Sequence, residues 1–323
     1  MQCSVIYGDV FARHDMELHP ETGSRLRAAL SGVPDGVRWR APVRATEGDL
    51  ERVHCPQHIR WVQEIARGTC FLDPNTYVTS HSFDVASYAA GSASAAVERA
   101  LDGEHSFALV RPPGHHAGPD RAMGFCIFNN AAVAAAKALE SVDRVAILDW
   151  DLHHGNGTQT IFYGSDQVLF CSVHEEDSFP KTGWVDEIGT GAGRGYTLNA
   201  PLAAGSTIAD YQLVFREVFV PALARFRPDA LIVSAGQDAL ADDEHGHMNL
   251  EPEDFGVLAG MLIDGTDLPL ALTLEGGYGP SHGKAIEAIF AALRGKRFVP
   301  ANERSPHRST EGVVEILKKV GFC

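Results

Sequence analysis

Five short apolar runs, at residues 107–110, 145–148, 168–171, 231–233 and 270–274, show no alternation of polar and apolar side chains. Strands of that kind are buried on both faces, which is the mark of a parallel sheet. Segments with helical spacing fall between and after them, at 131–139, 157–163, 211–226, 252–263 and 285–293. The rhythm predicts an α/β fold with a mostly parallel central sheet, right-handed crossovers and helices on both faces. Before it begins, the chain reads as a strand at 5–7, a helix through Arg25 and Leu26, and helical pieces at 50–53 and 58–66. An alanine-rich helix at 87–101 then ends on the turn Asp102-Gly103. With no linker or internal repeat, residues 1–323 read as a single domain.

Each strand is followed by a polar or glycine-rich cluster. In order these are Arg111-Pro112-Pro113-Gly114-His115-His116, then Asp149 to Gly157, Ser172-Val173-His174, Ala235-Gly236-Gln237-Asp238 and Glu275-Gly276-Gly277-Tyr278. In a parallel sheet these loops share one edge, where ligands bind. Strand alternation directs Asp149, Asp151 and His153 to one side, and Trp150, Leu152 and His154 to the other. Asp151, His153 and Asp238 then supply two carboxylates and an imidazole, a set suited to a catalytic zinc with an open position. Oxygen-rich ligation also admits iron(II), manganese or cobalt.

His115 and His116, in the turn after Gly114, can border that ion, and a neutral histidine there can take a proton from water and return one to a leaving amine. Asp149 and Asn156 are the candidates to fix their tautomers. Tyr278 follows two glycines that allow close backbone approach, and its phenol can donate to a carbonyl oxygen as charge develops.

Composition narrows the class. A net charge of -15 disfavours direct nucleic-acid binding and favours cationic ligands. No apolar stretch is long enough for a membrane span, and Met1-Gln2-Cys3-Ser4-Val5 lacks the pattern of a signal peptide. The six cysteines (Cys3, Cys55, Cys70, Cys126, Cys171, Cys323) are scattered and read as reduced thiols. The expected location is the cytoplasm.

Taken together, Arg-Pro-Pro-Gly-His-His-Ala (111–117), Gly-Phe-Cys-Ile-Phe-Asn-Asn (124–130), Asp-Trp-Asp-Leu-His-His-Gly-Asn-Gly-Thr (149–158), Ser-Ala-Gly-Gln-Asp-Ala (234–239) and Leu-Glu-Gly-Gly-Tyr (274–278) resemble the histone deacetylase / acetylpolyamine amidohydrolase family. The resemblance runs from about His19 to about residue 293 and is strongest to the class II branch and its prokaryotic relatives. It implies an arginase/deacetylase-like fold and zinc-dependent hydrolysis of an N-acetyl amide to acetate and free amine, by attack of metal-activated water. The implied substrate is an acetyl-lysine side chain or a related acylated amine; small acetylated polyamines are the alternative.

Residue by residue, the resemblance implies Asp151, His153 and Asp238 as zinc ligands, His115 and His116 as the catalytic pair, and Tyr278 as the residue that polarises the acetyl carbonyl. It implies a narrow substrate tunnel walled by Gly124, Phe125, Phe179 and Gly277, whose phenyl faces suit an aliphatic stem. It also implies a structural potassium ion at Asp149, Asp151, His153, Ser172 and Val173, and places Arg25 near an internal cavity that takes acetate. Oligomeric state stays open.

There are departures. Asn156 stands where class I members carry aspartate, so His116 should be less basic. Gln237 replaces a common phenylalanine beside Asp238, and the 174–183 segment is short, which opens the tunnel mouth. An Asp-x-His-x-Asp arrangement, needed for a two-manganese ureohydrolase, is missing at Asp151-Leu152-His153-His154-Gly155. The glycine-rich 189–195 segment reads as a connection rather than a nucleotide loop, 242–247 as a solvated loop rather than a second cation site, and Cys126 as a small packed residue.

Overall fold

The computed structural model describes residues 2–300 and 304–320; Met1 and the thiol of Cys323 lie outside them. In chain order the elements are β1 (Cys3–Ile6), α1 (Gly23–Ser31), β2 (Arg38–Arg40), α2 (Glu47–Leu50), α3 (Pro56–Ile65), β3 (Cys70–Phe71), β4 (Tyr77–Val78), α4 (Ser82–Leu101), β5 (His105–Ala108) and α5 (Asn130–Ala138). There follow β6 (Val145–Asp149), α6 (Asn156–Phe162), β7 (Val168–Glu175), β8 (Thr197–Leu202), α7 (Ile208–Val214), which runs through a π-helical stretch (Phe215–Phe219) into α8 (Val220–Phe226), then β9 (Ala230–Ala235), α9 (Pro252–Thr266), β10 (Leu270–Leu274), α10 (His282–Leu293) and α11 (Arg308–Val320).

Eight strands form one sheet in the order β2-β1-β5-β10-β9-β6-β7-β8, and every pairing in it is parallel. β3 and β4 make a separate antiparallel hairpin. The apolar strands are buried along their whole length, as their unalternating sequences require. Helices cover both faces. α4 packs on α5 and against β5, β10 and β9, while α9 packs on α10, and Phe290 of α10 meets Phe107 of β5 at 5.8 Å. Truncating a buried side chain such as Ile147 to alanine would cost about 2–5 kcal/mol.

The alanine content of α4 has a steric reason. At Gly91 a Cβ would lie 2.4 Å from both the amide nitrogen of Ala45 and the carbonyl of Val43, so this helix packs directly on backbone.

Two edge strands escape the sequence pattern. β2 is Arg-Trp-Arg and mostly exposed, and β8 contains Asn199 and Pro201; both lie at sheet edges, where charge and proline are tolerated. The helix expected at 50–53 lies earlier, at Glu47–Leu50, because Thr46 and Asp49 form a capping box. α11 had no counterpart in the expectations; it packs on β8 and α7.

The topology brings β5, β10, β9 and β6 side by side at the centre. Register aligns Asp149 with Ser234 and with Ser172, and Leu274 with Ala235. The loops that leave these ends therefore start from one level.

Candidate active site

β6 stops at Asp149, so strand alternation is not what brings Asp151 and His153 forward. Each aspartate instead caps the turn after it: Asp149 Oδ1 accepts from the amide of Asp151 at 3.0 Å, and Asp151 Oδ1 from that of His153 at 2.9 Å. The loop after β9 delivers Asp238, whose Oδ1 accepts from the amide of Leu152 at 2.8 Å. His153 Nδ1 then lies 3.0 Å from Asp238 Oδ2 and 3.3 Å from Asp151 Oδ1, with one ligand atom from each residue within 4.8 Å of the others. Glycine is required around this triad. A Cβ on Gly236 would meet Asp151 Oδ2 at 2.0 Å, and one on Gly276 would meet Asp238 Oδ2 at 2.2 Å.

The electrostatics suit a cation. Burial, then the charge of Asp151, pushes Asp238 up to about 6. Burial opposes a charge on His153, but hydrogen bonds to both carboxylates outweigh it and lift the imidazole to about 10. The negative charge that draws a proton to His153 would draw a divalent ion in its place, with release of that proton. Two carboxylates and one imidazole Nδ1 are a donor set that fits zinc.

His115 and His116 project from the loop after β5, their ring centroids 4.0 Å apart. Glu275 fixes this loop: its Oε2 accepts from the amides of Gly114 at 2.6 Å and His115 at 3.1 Å. Burial pushes Glu275 up to about 7, with His115 opposing. The two histidines have different partners. His115 Nδ1 meets Asp149 Oδ2 at 2.9 Å, and His116 Nδ1 meets Asn156 Oδ1 at 2.8 Å. Burial works against charge on both. For His115 the carboxylates of Asp151 and Asp149 overcome it and raise the pKa well above the ordinary range; for His116 the charges of His115 and His153 add to it and lower the pKa well below.

Tyr278 stands on the loop after β10. Burial holds its phenol well above the ordinary range, against the nearby Arg25, so it remains a donor. The Arg25 guanidinium lies 4.7 Å from the centre of its ring. Arg25 donates Nε–H to the carbonyl of Gly277 at 3.0 Å and Nη2–H to that of Glu275, and Nη1 lies 3.4 Å from Glu21 Oε1.

A cavity lined by Phe125 and Phe179 leads to these groups. Gly124 has φ +56° and Phe125 φ +70°, a pair of left-handed residues held by Asp73 Oδ2 on the amide of Gly124 (3.2 Å) and Thr76 Oγ1 on that of Phe125 (2.9 Å). A Cβ on Gly124 would meet His116 Cδ2 at 2.6 Å and Phe179 Cε1 at 2.8 Å. Phe179 packs edge-on against His116 at 5.1 Å and is 38% exposed, at the mouth. Gly276 and Tyr278 line the cavity, whereas Gly277 between them serves through its backbone, with φ +125° and its carbonyl on Arg25.

Ser172 and Val173 sit on β7, beside the end of β6 with Asp149; Ser172 Oγ is 2.9 Å from His174 Nδ1. Cys126 is fully buried, its Sγ 3.4 Å from the carbonyl of Gly124, and burial raises its thiol well above the ordinary range. The 242–247 segment is not simply solvated. Asp243 is buried and bonded to the backbone of Tyr278. Asp73 and Thr76 carried no signal in the sequence, and Glu275 and Asp243 were given no role of their own, because each acts on a backbone amide that any residue supplies.

Comparison with known proteins agrees with this fold. Residues 19–293 match the model of the histone deacetylase domain. A probable deacetylase of Methanothermobacter thermautotrophicus is 39% identical over 305 residues, covering 92% of this chain and 92% of its own. A histone deacetylase-like amidohydrolase of Pseudomonas aeruginosa is 39% identical over 275 residues, covering 81% of this chain and 72% of its own. The crystal structure of the HDA15 HD domain superposes with a TM-score of 0.93 at 33% identity, covering 99% of this chain and 94% of that one.

Proposed function

The chain belongs to the histone deacetylase family, and from that premise we propose that it is a metal-dependent deacetylase, hydrolysing the N-acetyl amide of an acetyl-lysine side chain or a similarly shaped acylated amine to acetate and free amine. The observation that carries this reading is the convergence of Asp151, His153 and Asp238 at the end of a cavity that His115, His116 and Tyr278 also line.

When bound by Asp151, His153 and Asp238, a divalent cation would supply Lewis acidity to the acetyl carbonyl and make water a better nucleophile. Zinc is the expected ion, and iron(II), manganese or cobalt are admitted by the same donors. The rest is done by side chains. His116 donates its Nδ1–H in a hydrogen bond to the Asn156 oxygen, which leaves the Nε2 lone pair free; favoured in its neutral form by burial, it takes the proton of the attacking water. His115, whose charged form Asp149 favours, offsets negative charge as it develops on the acetyl oxygen. The phenol of Tyr278 donates to the carbonyl oxygen as charge builds there. His116, now protonated, returns the proton to the leaving nitrogen. Phe125 and Phe179 enclose the aliphatic stem and exclude water from it.

A structural potassium ion at Asp149, Asp151, His153, Ser172 and Val173 belongs to the same proposal; its support is the register that pairs Asp149 at the end of β6 with Ser172 of β7. The free thiols of Cys3, Cys55, Cys70, Cys126 and Cys171 suit a reducing, cytoplasmic setting. Among the described residues no helix is long and apolar enough to cross a membrane.

The test is turnover of an acetyl-lysine peptide beside N-acetylputrescine. Release of acetate from the peptide supports the reading; release from the small amine alone would reassign the substrate to acetylated polyamines, and release from neither would overturn it.

A further inference from the structure

Tyr278 is carried on a loop with little stiffness of its own, flanked by Gly276, Gly277 and Gly279. Something outside the loop has to hold the phenol. On one side this is Arg25, bonded to the carbonyls of Glu275 and Gly277 and lying under the ring. On the other side it is Asp243. Its Oδ2 accepts from the amides of Tyr278 at 2.6 Å and Gly279 at 2.8 Å. Its Oδ1 accepts from the amide of His245 at 3.0 Å and lies 3.2 Å from His245 Nδ1. The His245 ring in turn packs on the Tyr278 ring at 4.2 Å.

The Asp243 side chain has no exposed surface. Burial alone would push its pKa up, but these hydrogen bonds outweigh burial and lower it, so it stays an anion. A buried anion satisfied by four N–H groups is an unusually firm anchor. Three of the four belong to Tyr278 or to the residue stacked on it, and the fourth to the next residue in the loop.

We propose that Asp243 is a positioning residue for Tyr278, fixing both the backbone from which the phenol projects and the imidazole packed against its face. The assignment rests on the deacetylase reading above. Asp243 touches no reacting atom. It acts by keeping the hydroxyl where the acetyl carbonyl will be, and displacement of a catalytic group by an ångström can cost about 100-fold in rate.

The test is a double-mutant cycle on an acetyl-lysine peptide: wild type, Asp243→Asn, Tyr278→Phe and the double variant, each with kcat, KM, metal content and thermal midpoint. In wild type, Asp243→Asn should lower kcat roughly 10- to 100-fold with KM within about twofold and metal content unchanged. In the Tyr278→Phe background the same change should cost less than about twofold, because the group it positions is gone. Equal losses in both backgrounds, or a raised KM with kcat intact, would overturn the proposal. Should Asp243→Asn not fold, Asp243→Ser, which keeps one acceptor, takes its place in the cycle; failure of both to fold would make Asp243 a residue of the fold at large and also overturn it. Full turnover by Tyr278→Phe alone is a different result. It would sink the role given to the phenol in the deacetylase reading, and the positioning role with it.

Discussion

His116 Nδ1 lies 2.8 Å from Oδ1 of Asn156, an amide that accepts the ring proton without adding charge. Its neighbour His115 faces the carboxylate of Asp149 at 2.9 Å. Against burial, nearby carboxylates favour the charged form of His115, while burial and the neighbouring imidazoles favour the neutral form of His116. The proposed division of labour rests on those opposite shifts, to which the partner of each ring, acid or amide, contributes.

Replacing Asn156 by aspartate should remove the difference. A carboxylate beside His116 favours its protonated form and raises its pKa, so the neutral base exists only at higher pH. The acid limb of the kcat/KM profile, which reports the free enzyme's essential base, should move up by about one pH unit or more. An unmoved limb in Asn156→Asp would mean that His116 is not the base.

At the tunnel wall, Gly124→Ala tests whether the close approach of Gly124 to His116 matters. The added methyl meets His116 and Phe179 at less than 3 Å, and φ +56° is a left-handed conformation that costs an L-residue about 1–2 kcal/mol. Phe179, at the mouth, can shift; His116 is tied to Asn156. The variant should fold and bind metal yet lose on the order of tenfold or more in kcat/KM, by displacing the base. Full activity would show that the wall has room to spare.

Away from the site, His54 links folding to pH. Its Nδ1–H donates to the carbonyl of Gly118 at 2.9 Å, and its Nε2 accepts from the amide of Asn129 at 2.9 Å, so only the neutral ring fits both. Burial, reinforced by His58, lowers its pKa to about 3. In the unfolded chain the ring takes up a proton near pH 6.5, whereas in the folded chain it does not until about pH 3. Below pH 6.5 the unfolded state therefore binds more protons, and this contribution to stability falls with pH. Relative to His54→Gln, the wild type should lose about 1.4 kcal/mol of stability per pH unit between roughly pH 6 and pH 4, and nothing above pH 7. Urea midpoints of both proteins across that range check it; a pH-independent difference would contradict it.

How much of this was legible in the chain follows from what each residue bonds to. β6, β9 and β10 were plain because burial on both faces demands unbroken apolar runs. β2 and β8 were not, since an edge strand is free to carry Arg38, Arg40, Asn199 or Pro201. Asp151, His153 and Asp238 stood out as charge at the ends of buried strands, and the structure brings all three together. The alternation used to pair the first two fails, because carboxylate-to-amide turns replace the strand after Asp149. Asp243 was passed over as part of a polar run, and its burial emerges only when the loop after β9 folds against the loop after β10.

The account stands on one ion held by Asp151, His153 and Asp238, and titrating metal back into chelator-stripped protein tests that most directly. Acetate release from an acetyl-lysine peptide should be absent after stripping, rise in proportion to added zinc and level off at one equivalent per chain, while Asp238→Ala should neither retain the ion nor recover. Turnover that survives complete stripping, or a plateau that Asp238→Ala shares, would contradict it.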